Sequence, residues 1–202
     1  VLVLTPSRLV RSQIQEEFEE LQTLLDIGAL TNITDKPKVY ELKNKILTEE
    51  AWKGLENFDV VVAIPMSISP AINDIPTPHD DIFDLILIDE AHHSPAATWN
   101  EIIEAFPRAK KILFTATPFR RDKKEIKGKF IYNYAISDAY KDGVFGKIEY
   151  IPVDNIEVSE DIAIAKKAEQ VFTEDKNAGF EHCLMVRTDR NKRAKELEQI
   201  YA

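Results

Sequence analysis

The chain has 202 residues, 44% of them hydrophobic and 30% charged, with a formal net charge of −9. That length and mix suit a globular protein of one full domain plus part of another. Cys183 is the only cysteine, which excludes an internal disulfide framework and a zinc site built on a cysteine cluster.

A reducing cytoplasmic compartment is therefore the expectation. Apolar runs such as Val60 to Ile64 and Leu85 to Ile88 are too short to cross a bilayer. The acidic balance argues against a surface that grips nucleic acid all over, but leaves room for one local groove. Acids gather in "QEEFEELQ", whereas "PFRRDKKEIKGKF", Pro118 to Phe130, is basic.

In chain order, "VLVLTPS" reads as a buried strand ending in a turn, with Ser7 as N-cap of a helix patterned from Arg8 to Leu25. "KVYEL" reads as strand, "TEEAWKGLENF" as helix and "DVVVAI" as strand. "INDIPTPHDD" reads as an exposed loop, "DLILID" as strand, about Pro95 to Ala105 as helix and "KKILFTAT" as strand. Apolar strands alternating with amphipathic helices predict an α/β fold, a doubly wound parallel sheet covered on both faces.

Beyond "TATP", a short helix closed near Gly143 and then a strand are expected within "YNYAISDAYKDGVFGKIEYIPVD". A helix over Glu160 to Thr173 follows, and "EHCLMVRTDRNKRAKELEQIYA" reads as strand then helix. This predicts three parts: residues 1–134 as a first domain, 135–158 as a connector and 159–202 as the beginning of a second α/β domain.

The chemistry concentrates in "FDLILIDEAHHSP". Ligands of an open parallel sheet bind beyond the carboxyl ends of its strands, and Asp89 occupies such an end. A carboxylate there suits magnesium, which keeps several waters and takes one or two protein acids plus phosphate oxygens. Glu90 can then orient the water that attacks a γ-phosphate. The alternative is that both acids only cap the following helix. The adjacent His92 and His93 lack the i, i+4 spacing of a zinc-protease helix.

With those residues in view, "DEAH", Asp89 to His92, resembles motif II of the superfamily 2 helicases and translocases of DEAD/DEAH type. "TATP", Thr115 to Pro118, resembles motif III, "TPSR", Thr5 to Arg8, resembles motif Ia, and "AIPMS", Ala63 to Ser67, stands at a further strand-capping motif. The stretch "YNYAISDAYKDGVFGKIEYIPV" resembles the connector of type I restriction motor subunits and related DNA-repair helicases.

The resemblance implies a RecA-like first domain followed by the start of a second. It implies ATP and magnesium as cofactors, with Asp89 holding the metal through water and Glu90 as catalytic base. His92, Thr115 and Thr117 would couple hydrolysis to movement. Thr5, Pro6, Ser7, Arg8, Pro65 and Ser67 would contact nucleic acid, DNA ahead of RNA; Ile64 departs from the threonine common near that position. Arg120 and Arg121 lead a basic run with Lys123, Lys124, Lys127 and Lys129, read either as a phosphate track or as a solvated loop.

The 202 residues contain no Gly-Lys-Thr or Gly-Lys-Ser loop to cradle a triphosphate. The expectation is a piece of an ATP-driven motor whose P-loop segment, and the remainder of whose second domain, lie outside it, so that the piece alone is inactive. Two alternatives stand beside this: a degenerate helicase-like module that binds nucleic acid or protein without turnover, and the motor of a restriction enzyme that moves on duplex DNA. Cys183, His182, His79, Trp52 and Trp99 are read as core or surface residues.

Overall fold

The computed structural model describes the chain apart from residues 32–34, 95, 118–125, 127, 145, 147, 154–158, 182 and 202. Arg120, Arg121, Lys123, Lys124, Lys127, Pro118 and His182 thus lie outside the described residues. The chain divides into two compact units, Val1–Phe130 and Ile131–Ala202.

The first unit is built on five strands: β1 (Leu2–Leu4), β2 (Val39–Glu41), β3 (Val60–Ala63), β4 (Leu85–Ile88) and β5 (Lys110–Leu113). They form one sheet in the order β2-β3-β1-β4-β5, and every pairing is parallel. The residues of β1 and β3 are buried throughout, as central strands covered on both faces must be. β5, at an edge, keeps Lys110 exposed.

Between the strands run α1 (Arg8–Glu20), α2 (Gln22–Asp26), α3 (Glu49–Gly54), α4 (Pro65–Ile68) and α5 (Ala97–Ala105). The sequence pattern predicts one helix to Leu25, but the chain breaks at Leu21, whose φ of 56° is left-handed. The Leu21 amide still donates to the Glu17 carbonyl at 2.8 Å, so this one left-handed residue both ends α1 and begins α2.

One face of the sheet is closed by an aromatic cluster. Phe106 meets Phe83 at 5.2 Å and Trp52 at 6.0 Å between ring centres, both edge to face, and Ile86, Ile88 and Ile102 fill in around them. The loop expected to be exposed is partly anchored: Ile75 is buried, and the Trp52 indole N–H donates to the Pro76 carbonyl at 2.9 Å.

The second unit contains α6 (Ile136–Lys141), α7 (Glu160–Asn177) and α8 (Asn191–Tyr201). Ser159 caps α7 by accepting from the Ile162 amide, and Arg193 of α8 is bonded to Asp161 of α7. Gly143 closes α6 with φ 74°, a left-handed position that glycine adopts without strain. The strands expected after Gly143 and around Leu184 to Arg187 do not form among the described residues. A strand exists only with a hydrogen-bonded neighbour, and the apolar side chains Ile148, Tyr150, Leu184 and Met185 remain exposed. Among the described residues, no helix is long and apolar enough to cross a membrane.

Candidate active site and nucleic-acid edge

The sheet order creates a crevice. The chain leaves β1 towards β2 on one side and leaves β4 towards β5 on the other, so the carboxyl ends of β1 and β4 flank a topological switch point. Thr5 follows β1 and Asp89 follows β4. The Asp89 amide donates to the Leu4 carbonyl at 2.9 Å, extending the ladder to the rim.

Glu90 has φ 48° and ψ 48°, a left-handed conformation that costs a non-glycine residue about 1–3 kcal/mol. Neighbouring bonds hold it there. The Asp89 carboxylate accepts the Glu90 amide at 2.8 Å, the Ala91 amide donates to the Phe114 carbonyl at 2.8 Å, and a short 3-10 turn over Ala91–His93 follows. This turn brings the Ala91 backbone against the end of β5.

His92 is the meeting point. Its Nδ1 lies 3.1 Å from Glu90 Oε2, 3.4 Å from Thr115 Oγ1 and 3.3 Å from Thr117 Oγ1. The Thr117 amide also donates to Thr115 Oγ1 at 3.1 Å. Thr115 and Thr117, 23 and 25 residues beyond His92, thus share its imidazole with Glu90.

The residues expected on nucleic acid divide into two groups. Pro6, Ser7 and Arg8 are exposed, with Ser7 Oγ accepting from the Val10 amide as the N-cap of α1. Thr5 is fully buried, and its hydroxyl donates within the chain, towards Ser7 O at 3.3 Å and Ala63 O at 3.4 Å. Pro65 and Ser67 are buried as well, and the Ser67 carbonyl accepts the Ile46 amide. These three shape the rim, while Pro6 to Arg8 face outward.

A buried cluster escaped the sequence reading. Arg11, only 5% exposed, donates from Nε to Glu41 Oε1 at 2.8 Å and from Nη1 to the Leu42 carbonyl at 3.1 Å. Ser12 Oγ donates to the same Glu41 oxygen, and Lys43 pairs with the other at 3.0 Å. Burial resists the Glu41 charge, but the Ser12, Lys43 and Arg11 hydrogen bonds outweigh it and hold the carboxyl down to about 2. The cluster ties the first turns of α1, which carry Ser7 and Arg8, to β2. The available signal was an arginine on the apolar face of a helix, since Arg11, Ile14 and Phe18 recur at i, i+3 and i+7.

Trp99 and Trp52 are core residues, whereas His79 and Cys183 are exposed. Among the described residues, no group of three or more His, Cys, Asp or Glu side chains converges as a metal cage. An apolar hollow of about 310 Å³ in the second unit is lined by residues including Ile151, Ile164, Phe172 and Leu184, and by none of the motif residues.

Residues 1–120 match the family described as "Type III restriction enzyme, res subunit". The chain belongs to that family. The match spans the whole sheet together with the "DEAH" and "TAT" stretches, and the family's α/β, RecA-like architecture agrees with the five parallel strands. The chain is also similar to the Type I restriction enzyme EcoAI endonuclease subunit of Escherichia coli, 34% identical over 82 residues, which is 37% of this chain and 10% of that protein. It is 33% identical over 73 residues, 34% of this chain, to Putative helicase 22 of Sulfolobus islandicus filamentous virus (isolate Iceland/Hveragerdi), covering 13% of that protein. The matched part is thus a small share of either relative's length.

Proposed function

We propose that the chain is part of an ATP-driven motor of the superfamily 2 helicase and translocase type that acts on DNA. The observation that carries this reading is the position of His92, whose Nδ1 reaches the Glu90 carboxylate and both hydroxyls of the "TAT" segment at the switch point of the sheet. The acid assigned to activate water is there linked through the His92 imidazole to residues at the end of a different strand, the kind of linkage by which hydrolysis is transmitted.

In this reading Asp89 holds magnesium through water, an arrangement that suits one carboxylate and needs no protein cage. When bound, ATP would supply the phosphoryl group and magnesium would neutralise the charge on its oxygens. Glu90 accepts the proton of the attacking water at its carboxylate. The exposed Pro6 to Arg8 edge, with the helix start behind it, takes one DNA strand through phosphate contacts. The phosphate-cradling loop comes from elsewhere in the whole protein, and residues 1–202 alone do not turn over ATP. The name of the restriction subunit among the relatives supports DNA as the nucleic acid.

The test is magnesium-dependent ATP hydrolysis by the whole protein with duplex DNA, single-stranded DNA or RNA added, comparing wild type with Glu90→Gln. A DNA-stimulated rate that falls by about 10²- to 10⁴-fold in the variant is expected. Full hydrolysis by Glu90→Gln, or by residues 1–202 alone, would sink the reading.

A further inference from the structure

We infer that His93 is a positioning residue for His92, its ring wedged between the buried Trp99 and the His92 imidazole so that His92 Nδ1 faces Glu90, Thr115 and Thr117. The inference rests on the motor reading only for its activity readout. The His93 ring lies 4.2 Å from the His92 ring at 42°, and 6.1 Å from the Trp99 ring at 19°. Successive residues of a 3-10 turn point about 120° apart, so this ring contact is set by side-chain rotamers and is not imposed by the backbone.

The backbone of His93 also joins the two parts that have to stay aligned. Its amide donates to the Glu90 carbonyl at 3.0 Å, and its carbonyl accepts the amide of Ala96, the N-cap residue of α5, at 2.9 Å. Trp99 on α5 is 7% exposed, and Ile102 on the same helix is fully buried, so the outer wall of the stack is fixed to the core. His92, by contrast, has an imidazole whose ring would otherwise turn freely about its terminal torsion, which is broad and roughly two-fold.

The chemistry of the contact selects one tautomer. An ionised carboxylate only accepts, so an approach of 3.1 Å between Glu90 Oε2 and His92 Nδ1 calls for a proton on Nδ1. The threonine hydroxyls can then accept from the same N–H or turn their own protons elsewhere. A flipped ring would present carbon to the carboxylate and lose all three contacts. His93 therefore holds the ring in the one orientation that links Glu90 to β5.

The experiment uses the protein with ¹⁵N-labelled histidine, the His92 signals being identified by their loss in His92→Gln. Wild type is expected to show a fixed Nδ1–H tautomer. His93→Ala should shift the His92 nitrogens towards tautomer averaging and lower DNA-stimulated hydrolysis by about 2- to 10-fold, while His93→Phe, which keeps a stacking ring, should restore both. An unchanged His92 signature in His93→Ala overturns the proposal, as does a His93→Phe variant disturbed as much as the alanine. If Glu90→Gln leaves hydrolysis intact, the motor reading falls while the nitrogen signature still decides the role of His93.

Discussion

Leu4 and Asp89 are joined by a backbone hydrogen bond of 2.9 Å at the rim of the sheet, although they stand 85 residues apart by their numbering. It lies just beyond the paired residues of β1 and β4, between the strands whose onward connections diverge. The bond fixes the Asp89 backbone at the rim of the crevice, where its carboxylate accepts the amide of Glu90 in its left-handed turn.

From that position Asp89→Asn is expected to raise the magnesium concentration for half-maximal hydrolysis by about 10- to 100-fold, the range for losing an outer-shell partner of a metal. Asparagine keeps an oxygen for the Glu90 amide, so the turn should persist. A magnesium titration of the whole protein's ATPase reads the effect, and an unchanged midpoint would remove Asp89 from the metal's surroundings.

Arg8 is exposed at the start of α1. Arg8→Ala should weaken DNA binding across all sequences and reduce the slope of log affinity against log salt by about 1, since one phosphate contact is lost. Fluorescence anisotropy over a salt series measures this. A lower affinity with the original slope would assign Arg8 to something other than phosphate.

Glu41 carries a pH prediction with a definite sign. Its folded-state value of about 2 lies below the ordinary value of 4.5. The stabilisation is therefore complete above the unfolded value, shrinks as pH falls between 4.5 and 2, and is gone below the folded value. It amounts to at most about 3 kcal/mol, before solvent screening through the exposed Lys43 reduces it. Urea midpoints at pH 7 and pH 3 should differ more for wild type than for Glu41→Gln, which loses the charge and leaves Arg11 with a neutral partner. Equal pH dependence in the two proteins would refute the ion-pair account.

Phe106 is fully buried and meets both Phe83 and Trp52 edge to face. Phe106→Ala should cost about 3–5 kcal/mol, because deletion leaves a cavity where two other rings lose their partner. A denaturant titration gives the value. A cost below about 1 kcal/mol would mean that the cluster closes over the gap.

Much of the sheet was legible in the chain. Runs such as "VLVL", "VVVA" and "LILI" are apolar on consecutive residues, and only strands covered on both faces tolerate that, so β1, β3 and β4 form where expected. The "DEAH" and "TAT" segments were legible for another reason: strand ends followed by acids and hydroxyls keep their order in one dimension. Leu21 was not legible, since a continuous polar and apolar pattern carries no mark of a single left-handed residue. The segment around Leu184 to Arg187 has strand composition, yet composition supplies no pairing partner.

The amino-acid sequence by itself determined the fold class and the five strands of the first unit, and it singled out the candidate "DEAH" and "TAT" residues, because these depend on local pattern and on side-chain type. Only the tertiary structure decided the strand order, the burial of Thr5, the enclosed Arg11–Glu41 pair and the meeting of Glu90, Thr115 and Thr117 at His92. Those are contacts across long stretches of chain, set by which strands lie side by side and how each turn leaves the sheet, and local periodicity contains neither.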